Sequence, residues 1–160
     1  MKKKGLAPII DTNTRILILG SLPSDESIRK QQYYGNPVND FWRLISEVIG
    51  EDITVLDYDY KIQKLQEHGI GLWDVLSTSE RKGSLDSNIK NEEINDFSNL
   101  KNVAPNLRLV FFNGKEAGKF EEIFSEYRIE TKVLPSSSGA NRRYSEKRIV
   151  EWKSIADSIA

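Results

Sequence analysis

The chain has no cysteine and a single histidine, His68, among its 160 residues. The first absence excludes disulfides, thiolate nucleophiles and Cys-built zinc sites, and the second leaves too little imidazole for a His-built metal centre. No apolar run approaches the roughly 20 residues that span a bilayer. The opening MKKKGLAPII is basic but carries too short an apolar segment for a secretory signal, so no membrane partner and a cytoplasmic protein are expected. An excess of one charge is missing too: 23 Lys and Arg stand against 24 Asp and Glu, for a net charge of -1. No overall basic balance marks a nucleic-acid binder, and any such surface must be a local patch. A Walker loop and a dinucleotide glycine fingerprint are also absent, which weakens a nucleotide-binding reading.

What is present fits one globular domain over residues 1–160, with 38% hydrophobic and 29% charged residues and no internal repeat. RILILGSLP (15–23) is an apolar run ended by Gly and Pro, which predicts a buried strand feeding a loop. DFWRLISEVIG (40–50) carries Phe41, Leu44, Ile45 and Val48 at helical spacing, with Asp40 placed as a cap and Gly50 as a stop. DYKIQKLQEHG predicts a second helix and IGLWDVL (70–76) a second strand. The polar STSERKGSLDSNIKNEE reads as a loop, and EEINDFSNLKNV as a third helix that Pro105 terminates. LRLVFFNG (107–114) predicts a strand, KEAGKFEEIFSEY a helix, TKVLP (131–135) a last strand and SEKRIVEWKSIADSIA a closing helix. Strands alternating with helices imply a three-layer α/β/α sandwich around a short, mostly parallel four-stranded sheet.

In open parallel sheets ligands bind beyond the carboxyl ends of the strands. Those ends here are GSLPSD, DVLSTSERKGS, the pair Asn113-Gly114, and PSSSGANRRYS. They are small, polar and glycine-bearing, so main-chain N–H groups could approach a phosphate backbone closely. A glycine after one strand is usually just a turn, but here such ends coincide at one edge of a sheet. YYGNPVNDFW (33–42) adds adjacent rings and two amides around an Asn-Pro turn, more than packing requires.

With these residues in view, ILILGSLPSDESIRKQQYYGNPVNDFW, LVFFNGKEAG and LPSSSGANRRYSEKRIVEW resemble the uracil-DNA glycosylase superfamily, and within it the branch of hypoxanthine (deoxyinosine) DNA glycosylases. The likeness runs from about Arg15 to the C-terminal helix. It implies the uracil-DNA glycosylase-like fold and a monofunctional enzyme that flips a deaminated base out of DNA and hydrolyses its N-glycosidic bond, leaving an abasic site. Hypoxanthine is the expected base, with xanthine as a further one. The implied partner is DNA containing deaminated bases, and the enzyme is expected to work as a monomer with no cofactor and no metal.

The resemblance is carried over residue by residue. Many relatives place an Asp, Asn or Glu within two positions of the glycine that ends the first strand, whereas Gly20 is followed here by Ser21, Leu22 and Pro23. The likeness moves the water-positioning role to Asn39. The histidine often found in the second motif is missing from PSSSGANRR, which argues against uracil chemistry. The resemblance further implies Tyr34 as the ring that stacks on an extruded base, with Gly20 and Ser21 beside it. Ser137, Ser138, Gly139 and Asn141 are expected on a DNA-facing loop, with Arg142 and Arg143 at phosphates or in the minor groove.

Physical chemistry agrees in outline. Breaking an N-glycosidic bond gives the sugar oxocarbenium character while the base leaves with its electrons, so a site gains by holding water and stabilising the departing base. Asn113 ends an apolar strand with an amide that can donate and accept, which suits reading a hypoxanthine edge. Structural alternatives stand beside each role: Asn39 as a helix cap, Asn113 as a turn residue, Tyr33 as packing, and the cluster Arg142, Arg143, Lys147 and Arg148 as a solvated surface or as a DNA-binding basic patch. His68 is expected to satisfy carbonyls at a helix end. Lys30 and Lys115 lack the apolar surroundings of a Schiff-base nucleophile. Asp25 and Asp74 remain possible bases near strand ends, with Asp74 also able to support the site from behind. A uracil or mismatch glycosylase and a non-catalytic nucleic-acid-binding module are the competing functions.

Overall fold

A computed structural model describes residues 2–81, 89–140 and 145–159. Its centre is a four-stranded sheet of β2 (Ile16–Gly20), β3 (Ile70–Asp74), β6 (Leu109–Asn113) and β7 (Glu130–Leu134). The strand order is β3-β2-β6-β7, and all three pairings are parallel.

Side chains alternate across a strand, so an uninterrupted apolar run buries both faces. Ile16 and Ile18 join Ile70, Leu72 and Phe111 in one core. That core is covered by α2 (Phe41–Ile49), α3 (Tyr58–Glu67) and α6 (Ser145–Lys153), with Phe41, Ile45, Leu65 and Trp152 fully buried. Leu17 and Leu19 face the other way with Val110 and Phe112, under Phe97, Leu100, Ala117 and Phe124. The second cover comes from α4 (Leu100–Val103), α5 (Lys115–Gly118) and a 3-10 turn at Glu121–Tyr127. Layers on both faces give the expected three-layer α/β/α sandwich.

The register sets the site. Gly20 lies opposite Asp74, Leu19 opposite Phe112, and Asn113 opposite Leu134. The four strands therefore end together at one edge.

Several elements differ from expectation. The stretch read as a polar loop holds β4 (Leu76–Arg81), and the stretch read as a third helix begins in β5 (Ile89–Ile94), leaving only α4 helical. These strands form an antiparallel three-stranded sheet with β1 (Lys2–Lys4), in the order β1-β4-β5. Antiparallel backbone pairing with β4 overrides local helix propensity in β5. A short α1 (Asp25–Lys30) interrupts the loop expected after the first strand. Ser24 caps it by accepting from Ser27 N–H at 3.2 Å, with acidic residues in the first turn and basic ones in the last. The closing helix divides into α6 and α7 (Ala156–Ile159). Among the described residues no helix is long and apolar enough to cross a membrane.

Candidate active site

The strand ends and the loops 20–24, 33–39 and 136–140 enclose a cavity of about 750 Å³, with Asp74 and Asn113 in its wall. Its place beyond the carboxyl ends is the one expected for a parallel sheet. Gly20, Ser21, Tyr34, Asn39, Asn113, Ser137, Ser138 and Gly139 all line it, so residues spread over 120 positions of sequence are brought to one pocket.

Asn39 is the best-defined side chain. Its Oδ1 accepts from Phe41 N–H at 2.9 Å and from Ser137 Oγ at 2.8 Å. A backbone N–H can only donate, so this contact fixes which end of the amide is oxygen. Asn39 thus caps the start of α2, as its structural alternative proposed, and does so with its oxygen fully occupied. What it offers the pocket is its Nδ2 pair of donors. Asp40, the expected cap, makes no side-chain cap bond.

Ser137 sits beneath Asn39. It is 1% exposed, and its hydroxyl accepts from Asn113 Nδ2 at 2.8 Å while donating to Asn39. Ser137 N–H donates to Asn113 Oδ1 at 2.9 Å, which fixes that amide as well. The second Nδ2 hydrogen of Asn113 goes to the Tyr34 hydroxyl at 3.1 Å. Both Asn113 donors are therefore spent inside the wall, and its geometry suits holding Ser137 and Tyr34 more than reading a base. A directed chain runs from Asn113 through Ser137 to Asn39.

Tyr34 has φ 53°, a left-handed backbone that is rare for an aromatic residue and costs about 1–3 kcal/mol. Two contacts hold it there. Its ring stacks on Phe41 with centroids 3.8 Å apart and planes 13° apart, and its hydroxyl takes the Asn113 bond. Tyr33 turns inward, 3% exposed, and donates to Ala7 C=O at 2.8 Å. Burial, reinforced by the Asp74 charge, pushes its phenol well above the ordinary value.

Asp74 is 4% exposed and is the one carboxyl-bearing residue among the described residues that line the cavity. A Cβ on Gly20 would stand 2.6 Å from Asp74 Oδ1 and 3.4 Å from the Tyr34 hydroxyl. Glycine at position 20 is what lets that carboxyl reach the pocket wall. Gly139 has a similar reason: a Cβ there would come within 2.4 Å of the Val38 carbonyl oxygen, so the two loops could not close on each other. Among the described residues, no three acidic or imidazole side chains gather as a metal ion would need.

Behind the pocket wall lies a buried ion pair. Arg148 Nη2 donates to Asp40 Oδ2 at 2.6 Å. The burial of Arg148, 2% exposed, removes it from the basic patch read in the sequence; it faces inward, with both Nη atoms on protein oxygens and a buried Nε that makes no hydrogen bond among the described residues.

Comparison with known proteins fits this geometry. A sequence model of the uracil DNA glycosylase superfamily matches residues 7–157. The chain belongs to the uracil DNA glycosylase superfamily. It is 57% identical over 155 residues to the hypoxanthine DNA glycosylase of Methanosarcina acetivorans, covering 97% of this chain and 98% of that one. It is 56% identical over 152 residues to the protein of the same name from Methanosarcina barkeri, covering 95% and 96%. A solution NMR structure from Methanosarcina acetivorans, described as a candidate uracil DNA glycosylase, superposes with a TM-score of 0.92 at 56% identity over 99% of both chains.

In a DNA glycosylase the substrate is DNA, and the open side of the pocket must face it. Ser138 and Gly139 lie half-buried at that rim, whereas Ser137 is turned into the wall. Asn141, Arg142 and Arg143 lie outside the described residues. His68 ends α3, where Nδ1–H donates to Lys64 C=O at 2.9 Å. Lys30 donates to Gly35 C=O at 2.9 Å on the surface. Sequence reasoning left Asp74 undecided and missed how Ser137 and Arg148 are used. The WD pair at the end of an apolar strand was the available signal for Asp74, because a carboxylate at a parallel-sheet terminus points at the ligand edge. Nothing local marks Ser137 or Arg148.

Proposed function

We propose that this glycosylase removes hypoxanthine from deoxyinosine in DNA, acting as a single domain and as a monomer, and leaves an abasic site. The observation that carries the substrate is Asp74. An ionised carboxyl can only accept hydrogen bonds, so it favours a base edge that presents N–H. Hypoxanthine presents N1–H beside O6, while adenine at that edge has a bare N1 lone pair. Xanthine satisfies the same rule. The names of the two Methanosarcina relatives support the same base.

The remaining roles follow from the wall. Extrusion from the duplex costs a few kcal/mol, and stacking on an aromatic ring returns roughly 1–3 kcal/mol. Phe41 backs the Tyr34 ring, and Tyr34 lines the cavity where the base would stack. As the N-glycosidic bond breaks, its electrons leave with the base and the sugar gains oxocarbenium character. Water then adds to the anomeric carbon, and the proton it loses is matched by the proton that the departed base anion takes up from solvent, so neutral base and abasic sugar result. Asn39 holds that water by donating from Nδ2 to its oxygen. The amide oxygen is occupied, so Asn39 withdraws no proton, and bond breaking runs ahead of attack.

Uracil also carries an N–H that Asp74 could take, and the solved relative is described by that activity. One assay separates the readings. Duplexes with a single deoxyinosine or deoxyuridine are incubated with wild type or Asn39→Ala, then treated with alkali to cut abasic sites. Strand breakage at inosine, lost in the variant, is the expected result. Breakage at uracil alone would replace the substrate, and binding without breakage would make the protein a non-catalytic module.

A further inference from the structure

The residues next to Asn39 and Ser137 are joined by a second device that the reaction itself does not use. Asp40 and Arg148, 108 positions apart, pair at 2.6 Å with side chains 3% and 2% exposed. Arg148 Nη1 also donates to the Ser136 and Ser138 carbonyls, at 3.2 and 3.1 Å. Those carbonyls flank Ser137, and the Ser137 carbonyl itself accepts from Asp40 N–H at 2.9 Å. One guanidinium therefore ties α6 to both loops whose side chains meet at the 2.8 Å contact between Ser137 Oγ and Asn39 Oδ1.

We infer that Asp40 and Arg148 are positioning residues for the glycosylase reaction: the pair fixes the separation of the 36–40 and 135–139 loops and so aims the Asn39 amide at the sugar. Stability is a poor reason for such a pair, since apolar side chains of similar volume often replace a buried ion pair without loss. Direction is a better one. A guanidinium is a rigid planar fork that can serve a carboxylate and two carbonyls at once, whereas a lysine ammonium is a point charge on a flexible stem. Arg43 also reaches Asp40, at 3.2 Å, but its side chain is 68% exposed and such a contact contributes little.

The inference rests on the glycosylase reading, and its test keeps the two apart. The double variant Asp40→Leu/Arg148→Met and the single variant Arg148→Lys are compared with wild type in three measurements: thermal melting, single-turnover excision at deoxyinosine, and affinity for the abasic product duplex. The double variant is expected to fold and bind product as wild type does, while excision slows about 10- to 100-fold, the scale of an ångström-sized misplacement. Arg148→Lys keeps the charge without the fork and is expected to remain slow. The Asn39 side-chain amide resonances, assigned by their disappearance in Asn39→Ala, should move in both variants toward those of a free amide. A folded double variant that excises at the wild-type rate, or an Asn39 amide signal that does not move, would overturn the inference. If the double variant does not fold, Arg148→Lys decides by the same rate and resonance. Wild type inactive on both inosine and uracil would remove the glycosylase reading and this inference with it, an outcome distinct from active wild type with equally active variants.

Discussion

Ser137→Ala tests the directed chain at its centre. The substitution deletes one oxygen from a site that is 1% exposed, and with it the bonds to Asn39 Oδ1 and from Asn113 Nδ2, both 2.8 Å. Asn39 keeps its bond from Phe41 N–H, and Asn113 keeps Tyr34 and the Ser137 backbone. One Asn113 N–H is left stranded, which costs about 1–3 kcal/mol. In a chain of this size each kcal/mol lowers the melting temperature by about 2–4 °C, so a fall of roughly 2–12 °C is expected. The rate should suffer separately. With one of its two anchors gone, the Asn39 amide can swing off line, and about a tenfold or greater loss of excision follows if it drifts by a fraction of an ångström. Single-turnover excision from a deoxyinosine duplex, run well below the melting transition, reads this directly. Ser125→Ala is the control, because that serine lies on the exposed 3-10 turn away from the cavity, where its hydroxyl donates to Glu122 C=O at 2.8 Å. A folded Ser137→Ala enzyme with the wild-type rate would refute the claim that Ser137 aims Asn39.

Asp74→Asn is nearly isosteric but adds a donor to the pocket. Wild type should excise hypoxanthine faster than N1-methylhypoxanthine by about 10- to 100-fold, the worth of one charge-assisted hydrogen bond, and this ratio should collapse in Asp74→Asn; an unchanged ratio would remove Asp74 from base reading. Gly20→Ala places a Cβ 2.6 Å from Asp74 Oδ1, so excision should fall at least as far as in Asp74→Asn, while in an Asp74→Ala background the same change should cost little. Tyr33 is held neutral by burial and by the Asp74 charge, and its folded value is raised. The sign follows: its contribution to stability is complete below the unfolded value near 10 and is lost as pH rises toward the folded one. Tyrosinate absorbance from Tyr33, isolated by comparison with Tyr33→Phe, should therefore appear only as the protein unfolds in alkali, and its appearance in the folded state would contradict the buried placement.

Local sequence was enough for the two inner strands of the central sheet because they are buried on both faces, unlike the largely exposed edge strand β7. ILILG, and LVFF before Asn113, have no polar residue to leave exposed, and that pattern has few folded solutions other than an interior parallel strand. The same economy located the pocket edge, since parallel strands separated by helices must end together. The small antiparallel sheet was not legible. Ile89–Ile94 is rich in charged helix-forming residues, and only pairing with Leu76–Arg81 makes it extended. Residues 33–42 could be singled out because two amides and two rings around one turn exceed what packing requires, and the family resemblance picked Asn39 and Tyr34 among them. Their chemistry could not. Which end of the Asn39 amide faces the pocket depends on Phe41 and Ser137, and Ser137 stands 98 residues away. The sequence likewise grouped Arg148 with its basic neighbours, because charge is visible along a chain and burial is not. Composition and periodicity determined by themselves what the core is and where a ligand must lie. The tertiary structure alone decided which donors and acceptors remain free to meet that ligand, because a hydrogen bond already formed inside the wall is a contact between distant parts of the chain.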